Sequence, residues 1–263
     1  MVIGRPGAAR TSICTSYPDR IEVRGRDLCG ELMGRLSFTE YFYLLVTGRL
    51  PTADQTFFLD TLLVAIAEHG LTPTAQAARM TYDADPNALQ AAVAAGILGC
   101  GTVLVGTSEL CAKVLIEARG RVEAGEDADA VLASIASSYR QNRKPFPGFG
   151  HPVHKPVDPR TVRIFALAGE RGIAGPYVDL AKRFPKAVEQ AWGKPIPMNV
   201  QMPIAAVLLE LDFPASVVKA IAILARTGGL LAHIAEESDQ QIGFLMAHHG
   251  EQAIEYVREG DEG

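Results

Sequence analysis

No charged side chain occurs between Pro86 and Ser108, and that run constrains the fold more than any other stretch. It is long enough to span a bilayer. Yet Ala91, Ala92, Ala94, Ala95, Gly96, Gly99, Gly101 and Gly106 make up much of it, leaving few large side chains to face lipid. Small residues let backbones approach closely. The run therefore predicts a helix enclosed in a large protein or pressed against a partner subunit, and no membrane span. Enclosing such a helix takes apolar surroundings, and 48% of the 263 residues are hydrophobic, which excludes a disordered chain. The formal net charge of −5 excludes a general nucleic-acid binder, whose footprint would be a basic stripe.

The apolar spacing is helical nearly throughout. It predicts helices over 53–68, after Pro51, and over 129–140 and 161–170, the last opening after Asp158-Pro159. A long helix is expected over 215–237, where Gly228-Gly229 permits a close approach or a bend. Only residues 12–26 suggest strand, interrupted by Pro18. No repeat or flexible linker separates these segments. Cys14, Cys29, Cys100 and Cys111 show no metal-ligand rhythm. They read as reduced thiols, and with no charged and then apolar leader at the start, a cytoplasmic protein is expected.

The densest irregular stretch, Arg143 to Arg160, reads RKPFPGFGHPVHKPVDPR. Prolines stiffen it, and glycines let another group come close. A rigid basic loop between helices is a natural place for a site. His151, after Gly148-Phe149-Gly150, is placed to donate to or exchange a proton with a carbonyl or alkoxide oxygen. His154 would make a metal pair with it only if the turn were helical, which Pro152 and Pro156 oppose, and no third ligand is evident. No metal is expected. Arg160 carries a guanidinium suited to a carboxylate, and Lys144 and Lys155 suit phosphates.

Arg226 lies inside the apolar run AIAILARTGGLLAH. A charge there needs an anionic partner, either a ligand or a structural ion pair. His69, in AEHG, reads first as a cation at a helix C-terminus, and His248 and His249 read as surface residues. The absence of GxGxxG, P-loop and GxSxG motifs weighs against dinucleotide, nucleoside-triphosphate and serine-hydrolase chemistry.

Gly148–Arg160, GFGHPVHKPVDPR, resembles the citrate synthase signature GFGHxVxKxxDPR. Asp19–Thr52, AEHGLTPTAQAAR, the small-residue helix and ARTGGLLAH fall in that family's order. Within the superfamily the chain is most similar to the short citryl-CoA lyase branch. The resemblance implies an all-α, two-domain homodimer with a small domain, 107–211, inserted in a large one formed by 1–106 and 212–263. It would close over an oxo-acid and a coenzyme A thioester. The charge-free helix would lie between subunits. His151 would contact the oxygen of the oxaloacetate moiety, and His69, Arg160 and Arg226 would bind its carboxylates. Lys155, Lys144, Gly148 and Gly150 would serve coenzyme A.

Three departures shape the expected reaction. Where citrate synthases have LHG, with a histidine for the thioester oxygen, this chain reads Leu104-Val105-Gly106. Where they have NVD, with the aspartate that removes the acetyl proton, it reads Asn199-Val200-Gln201. A later arginine donated by the partner subunit is also missing near Gln240-Gln241. A carboxylate base contributes about 10²–10⁴-fold and an oxyanion donor roughly 10²–10³-fold, so ordinary citrate synthesis is disfavoured. Cleavage is less impaired: His151 would act on the tertiary hydroxyl, Gln201 would donate a hydrogen bond to the departing enolate, and Glu236 and Glu237 are further candidates near it. The expected activity is a carbon–carbon lyase acting on citryl-CoA or a related 3-hydroxyacyl-CoA. The alternatives are a citrate synthase-like enzyme with another acyl-CoA, or a non-catalytic paralogue that binds a metabolite or partner.

Overall fold

The computed structural model describes residues 9–101 and 105–258. They form two compact units, one ending at Asp60 and one beginning at Thr61.

The first unit holds the strand segment. β1 (Cys14–Ser16), β2 (Ile21–Val23) and β3 (Arg26–Asp27) make an antiparallel sheet in that order, with Cys14 opposite Val23 and Val23 opposite Arg26. Pro18 falls in the first turn, where its missing N–H costs no ladder bond. Arg24 and Gly25 both have positive φ, 52° and 75°, the two-residue turn that suits the sheet twist. A π turn over Leu28–Leu32 follows. α1 (Phe38–Thr47) opens on a reciprocal Ser37–Glu40 capping box and closes at left-handed Gly48. Val23, Leu32 and Leu44 form this unit's core.

α2 (Ala53–Ala67) leads into the second unit, which is helical. α3 (Pro73–Ala84), α4 (Leu89–Leu98), α10 (Val218–Asp239) and α11 (Gly243–Gln252) form one packed group. α5 (Thr107–Glu123), α6 (Ala128–Gln141), α7 (Pro159–Glu170), α8 (Pro176–Trp192) and α9 (Gln201–Glu210) form another, and α5 also meets α10. Ala78, Ala92, Leu230 and Ile234 join α3, α4 and α10. The fold is all-α, as its spacing predicts.

The charge-free run is only partly helical. α4 ends at Leu98, and Gly99 and Gly101 carry the chain out of it before α5 starts at Thr107. Leu104 lies outside the described residues. Among the described residues, Ala215–Asp239 is the one helical segment apolar and long enough to cross a bilayer. It encloses buried Arg226 and Glu237 and packs on α3, α4 and α5, as the core helix of a globular unit does.

At Gly228-Gly229 the expected alternatives resolve in favour of close approach. α10 runs unbroken through the pair, and a Cβ on Gly229 would overlap the Ala67 carbonyl oxygen. This contact presses α10 against the end of α2, one turn from Arg226 and two residues from His69.

Candidate active site

A short backbone pairing brings the histidine loop to the start of α9. Gly150 N donates to Pro197 O at 2.8 Å, Asn199 N donates to Gly148 O at 2.8 Å, and Phe149 bridges Met198. The Asn199 side chain ties the two segments from both sides: Nδ2 donates to Gly150 O at 2.9 Å, and Oδ1 accepts from Gln201 N at 3.1 Å. Asp158, fully buried, completes the tie by accepting from Val200 N at 3.2 Å.

Gly148 is part of this scaffold. It is buried, its φ is 76°, and an added Cβ would lie 2.9 Å from both Cys111 Sγ and Met202 Cβ. Gly148→Ala combines a disfavoured backbone conformation with overpacking and is expected to lower stability by about 2–3 kcal/mol, read from urea denaturation.

The scaffold walls a cavity of about 400 Å³ whose lining includes His69, Val105, Gly150, His151, Arg160, Gln201 and Arg226. Five residues singled out in the sequence for substrate chemistry, His69, His151, Arg160, Gln201 and Arg226, thus converge from the end of α2, the proline-rich loop, α7, α9 and α10. The coenzyme A candidates divide differently. Gly150 lines the cavity, Gly148 is packed behind it, and Lys155 is exposed on the loop without lining the cavity. Lys144 lines a separate surface depression with Arg140, Arg143 and Trp192.

The two arginines differ in their partners. Arg160 donates Nε and Nη2 to Asp158 at 3.1 and 2.8 Å and Nη1 to Ala65 O at 3.4 Å. Burial opposes the Asp158 charge, but the hydrogen bonds and charge of Arg160 hold its carboxyl below the ordinary value. Arg226 has no carboxylate within ion-pair distance among the described residues. It is 5% exposed, its Nη atoms reach only Thr72 Oγ1 at 3.5 Å and Ile66 O at 3.4 Å, and its buried Nε has no acceptor. The structural ion pair left open by the sequence is therefore not what accompanies Arg226; the guanidinium faces the cavity unpaired. Gln201 Oε1 is likewise buried without a partner.

His151 is held in a defined tautomer. Its Nδ1 accepts from Val153 N at 3.1 Å and His154 N at 2.9 Å. Burial and then the neighbouring His154 push it below the ordinary imidazole value, against the pull of Asp158. The ring is therefore neutral with its hydrogen on Nε2, a donor for a carbonyl or alkoxide oxygen.

His69 stands against His154, Nε2 to Nε2 at 3.1 Å, and with His151 the three rings bring ligand-type nitrogens within 4.8 Å of one another. The third imidazole is His69, already expected at the site as a carboxylate contact but too remote in the chain for spacing to place it beside the other two. The donor set does not suit a metal, however. Ligation through His151 Nε2 would put the hydrogen on Nδ1, where two backbone N–H groups already point.

Glu236 and Glu237, expected near the enolate on helical spacing, do not lie there. Both bind Arg79, Glu237 through Oε2 at 2.5 Å, and neither lines the cavity.

The family model for the citrate synthase C-terminal domain matches residues 53–244. Citrate synthase from Synechocystis sp. is 29% identical over 213 residues, covering 77% of this chain and 50% of that protein. Citrate synthase from Saccharolobus solfataricus is 27% identical over 211 residues, covering 78% and 54%. The chain thus spans about half the length of these curated relatives. Citryl-CoA lyase from Hydrogenobacter thermophilus superposes with a TM-score of 0.83 at 29% identity, over 98% of this chain and 97% of that one. ATP citrate lyase from Methanothrix soehngenii, solved with citrate and coenzyme A, superposes with a TM-score of 0.76 at 18% identity, over 90% of this chain and 40% of that one; at that identity the likeness concerns the fold.

Proposed function

Because this chain belongs to the citrate synthase family, we propose that its cavity cleaves a carbon–carbon bond in citryl-CoA or a related 3-hydroxyacyl-CoA, releasing an acyl-CoA and an oxo-acid such as oxaloacetate. The observation that carries this reading is the unpaired guanidinium of Arg226 in the cavity wall. A buried cation without a protein anion is costly, and a ligand carboxylate supplies the missing charge and the acceptor for Nε. The likeness in length and fold to a citryl-CoA lyase supports the same reading.

The substrate's carboxylate rests on Arg226, and Nε2–H of His151 donates to its tertiary oxygen. The hydroxyl loses its proton, the carbonyl forms, and the electron pair of the breaking bond passes to the carbon next to the thioester. That enolate then gains a proton. Gln201, half-buried at the first position of α9 with its Oε1 enclosed, can donate a hydrogen bond to the enolate but can neither take a proton from an acyl group nor return one, so another group must carry it.

The acyl-CoA reaches the site along the basic loop, with Lys155, Lys144 and Gly150 as its candidate contacts. The α5–α9 group serves as the inserted smaller domain. Two copies pair through α4, whose Leu89, Ala91, Ala94 and Leu98 are exposed and uncharged. The four free cysteines suit a reducing, cytoplasmic setting.

Purified protein incubated with citryl-CoA and other 3-hydroxyacyl-CoA esters is expected to release a free oxo-acid, detected by a coupled dehydrogenase. Turnover of none of them would sink the proposal. Gln201→Asp restores a carboxylate base and is expected to raise exchange of acetyl-CoA methyl protons into deuterated water by about 10²-fold, followed by NMR.

A further inference from the structure

We infer that His69 and His154 act as one proton-sharing pair, and that this pair carries the proton the cleavage must move from the substrate hydroxyl to the departing carbon. The inference rests on the proposed lyase activity and names the group that does what Gln201 cannot.

The two Nε2 atoms are 3.1 Å apart. At that separation they hold one hydrogen between them, because two N–H groups cannot face each other. With Nε2 of His69 engaged, Nδ1 is the ring nitrogen it has left for a ligand in the cavity it lines. A proton arriving at His69 Nδ1 lets the Nε2 hydrogen pass to His154, so the added charge spreads over two rings. The pair can hold one proton beyond the shared one. Cleavage moves one proton.

His154 is built into the site. Its backbone N–H fixes the tautomer of His151 at 2.9 Å, its ring stacks on His151 with centroids 4.4 Å apart, and it meets the His69 ring edge-on at 5.2 Å. The charged and titratable groups around the pair are His151, Arg160, Asp158 and Glu68, with Arg226 in the wall of the same cavity and already assigned to the ligand carboxylate. Asp158 is committed to Arg160 and Val200 N. Glu68 accepts the backbone N–H groups of His69 and Gly70 on one oxygen and faces His233 with the other. His151 is fixed as a donor, so the pair is the group left to accept and return a proton.

In the step, the hydroxyl proton passes to His69 Nδ1 as the Nε2 hydrogen moves to His154. The carbon–carbon electron pair becomes the thioester enolate while the carbonyl forms. The transfers then reverse, and the enolate carbon receives the proton. No oxidant, reductant or further reactant is needed.

The test compares wild type with His154→Gln and His154→Phe in citryl-CoA cleavage across pH, with oxaloacetate binding and circular dichroism as checks on the pocket and fold. Glutamine can still hydrogen-bond His69 but cannot take a proton. Both variants are expected to lose about 10²-fold in kcat with oxaloacetate affinity within about threefold, and one ionisation of the pH profile is expected to disappear. Recovery by glutamine alone would make His154 a positioning residue and overturn the inference, as would an unchanged pH profile in both variants. Wild type that cleaves no thioester would instead remove the proposed activity, and the inference with it.

Discussion

Arg226→Met is expected to abolish most oxo-acid binding while leaving the unliganded protein as stable as wild type or more so. In the unliganded protein the guanidinium is buried, its Nε has no acceptor, and its other hydrogen bonds are long. Replacing it with an apolar chain of similar length removes a desolvated charge, a change that is often neutral or stabilising. With a dicarboxylate bound, the same arginine becomes half of a buried ion pair, and removing it costs about 2–5 kcal/mol, roughly 30- to 4,000-fold in affinity. Calorimetric titration with oxaloacetate and thermal unfolding without it read the two effects separately. A structural arginine would give the opposite result: lost stability, with affinity falling only as the fold fails. Arg160 serves as the contrast. Its fork is already neutralised by Asp158, so Arg160→Met leaves a fully buried carboxylate behind and is expected to destabilise the unliganded protein.

That difference between the arginines marks where sequence reading reaches its limit. The charge in AIAILARTGGLLAH announces burial, because an apolar helix with one cation has to place it somewhere, and the stiff GFGHPVHKPVDPR loop announces a site. Both lead to the observed cavity. Partner choice is another matter, since it depends on angles between elements. Asp158 could have served only as the cap of α7, yet it also grips Arg160 and Val200 N. Glu236 and Glu237 sit about two turns beyond Gly229 on α10, and spacing alone points them at the site; α3 takes them instead through Arg79. His69 and His154 meet because Gly229 lets α10 pack on the end of α2 and because the Gly148–Gly150 pairing turns the loop inward. Neither contact leaves a periodic trace in the sequence. The helical class was legible because it needs only local spacing. The end of the charge-free helix at Leu98 is also local, signalled by Gly99 and Gly101, but it is easily hidden by the uncharged residues that follow.

The Arg79 network should yield the second large effect, and it bears on the site through His69. Arg79 is 1% exposed and Glu237 is fully buried. Arg79 donates to Glu237 and Glu236, and through Nε to His233 Nδ1 at 2.9 Å; His233 Nε2 lies 3.0 Å from Glu68 Oε2. Glu68 in turn accepts the N–H groups of His69 and Gly70 at 2.7 and 2.6 Å, so the network ends on the backbone that presents His69. Glu237→Ala leaves Arg79 buried with only the half-exposed Glu236 and frees the Ile242 and Gly243 N–H groups that Glu237 caps. It is expected to cost about 3–5 kcal/mol in urea denaturation. An Arg79→Met, Glu237→Leu double variant should cost less than the single one, because it leaves no unpaired charge. Acid should act as a reversible form of the same lesion. Burial opposes the Glu237 charge, but Arg79 and the two backbone N–H groups hold its carboxyl below the ordinary 4.5. Its contribution is therefore present above that value and is lost as pH falls below it. Asp83, raised by burial and by Glu237, has the opposite sign: its penalty grows as pH rises through the carboxylate range and partly offsets the gain. In Glu237→Ala the acid-side slope should flatten, and oxaloacetate affinity should fall with it, since the residue removed begins the series of contacts that leads through Arg79, His233 and the His233–Glu68 contact to the backbone of His69.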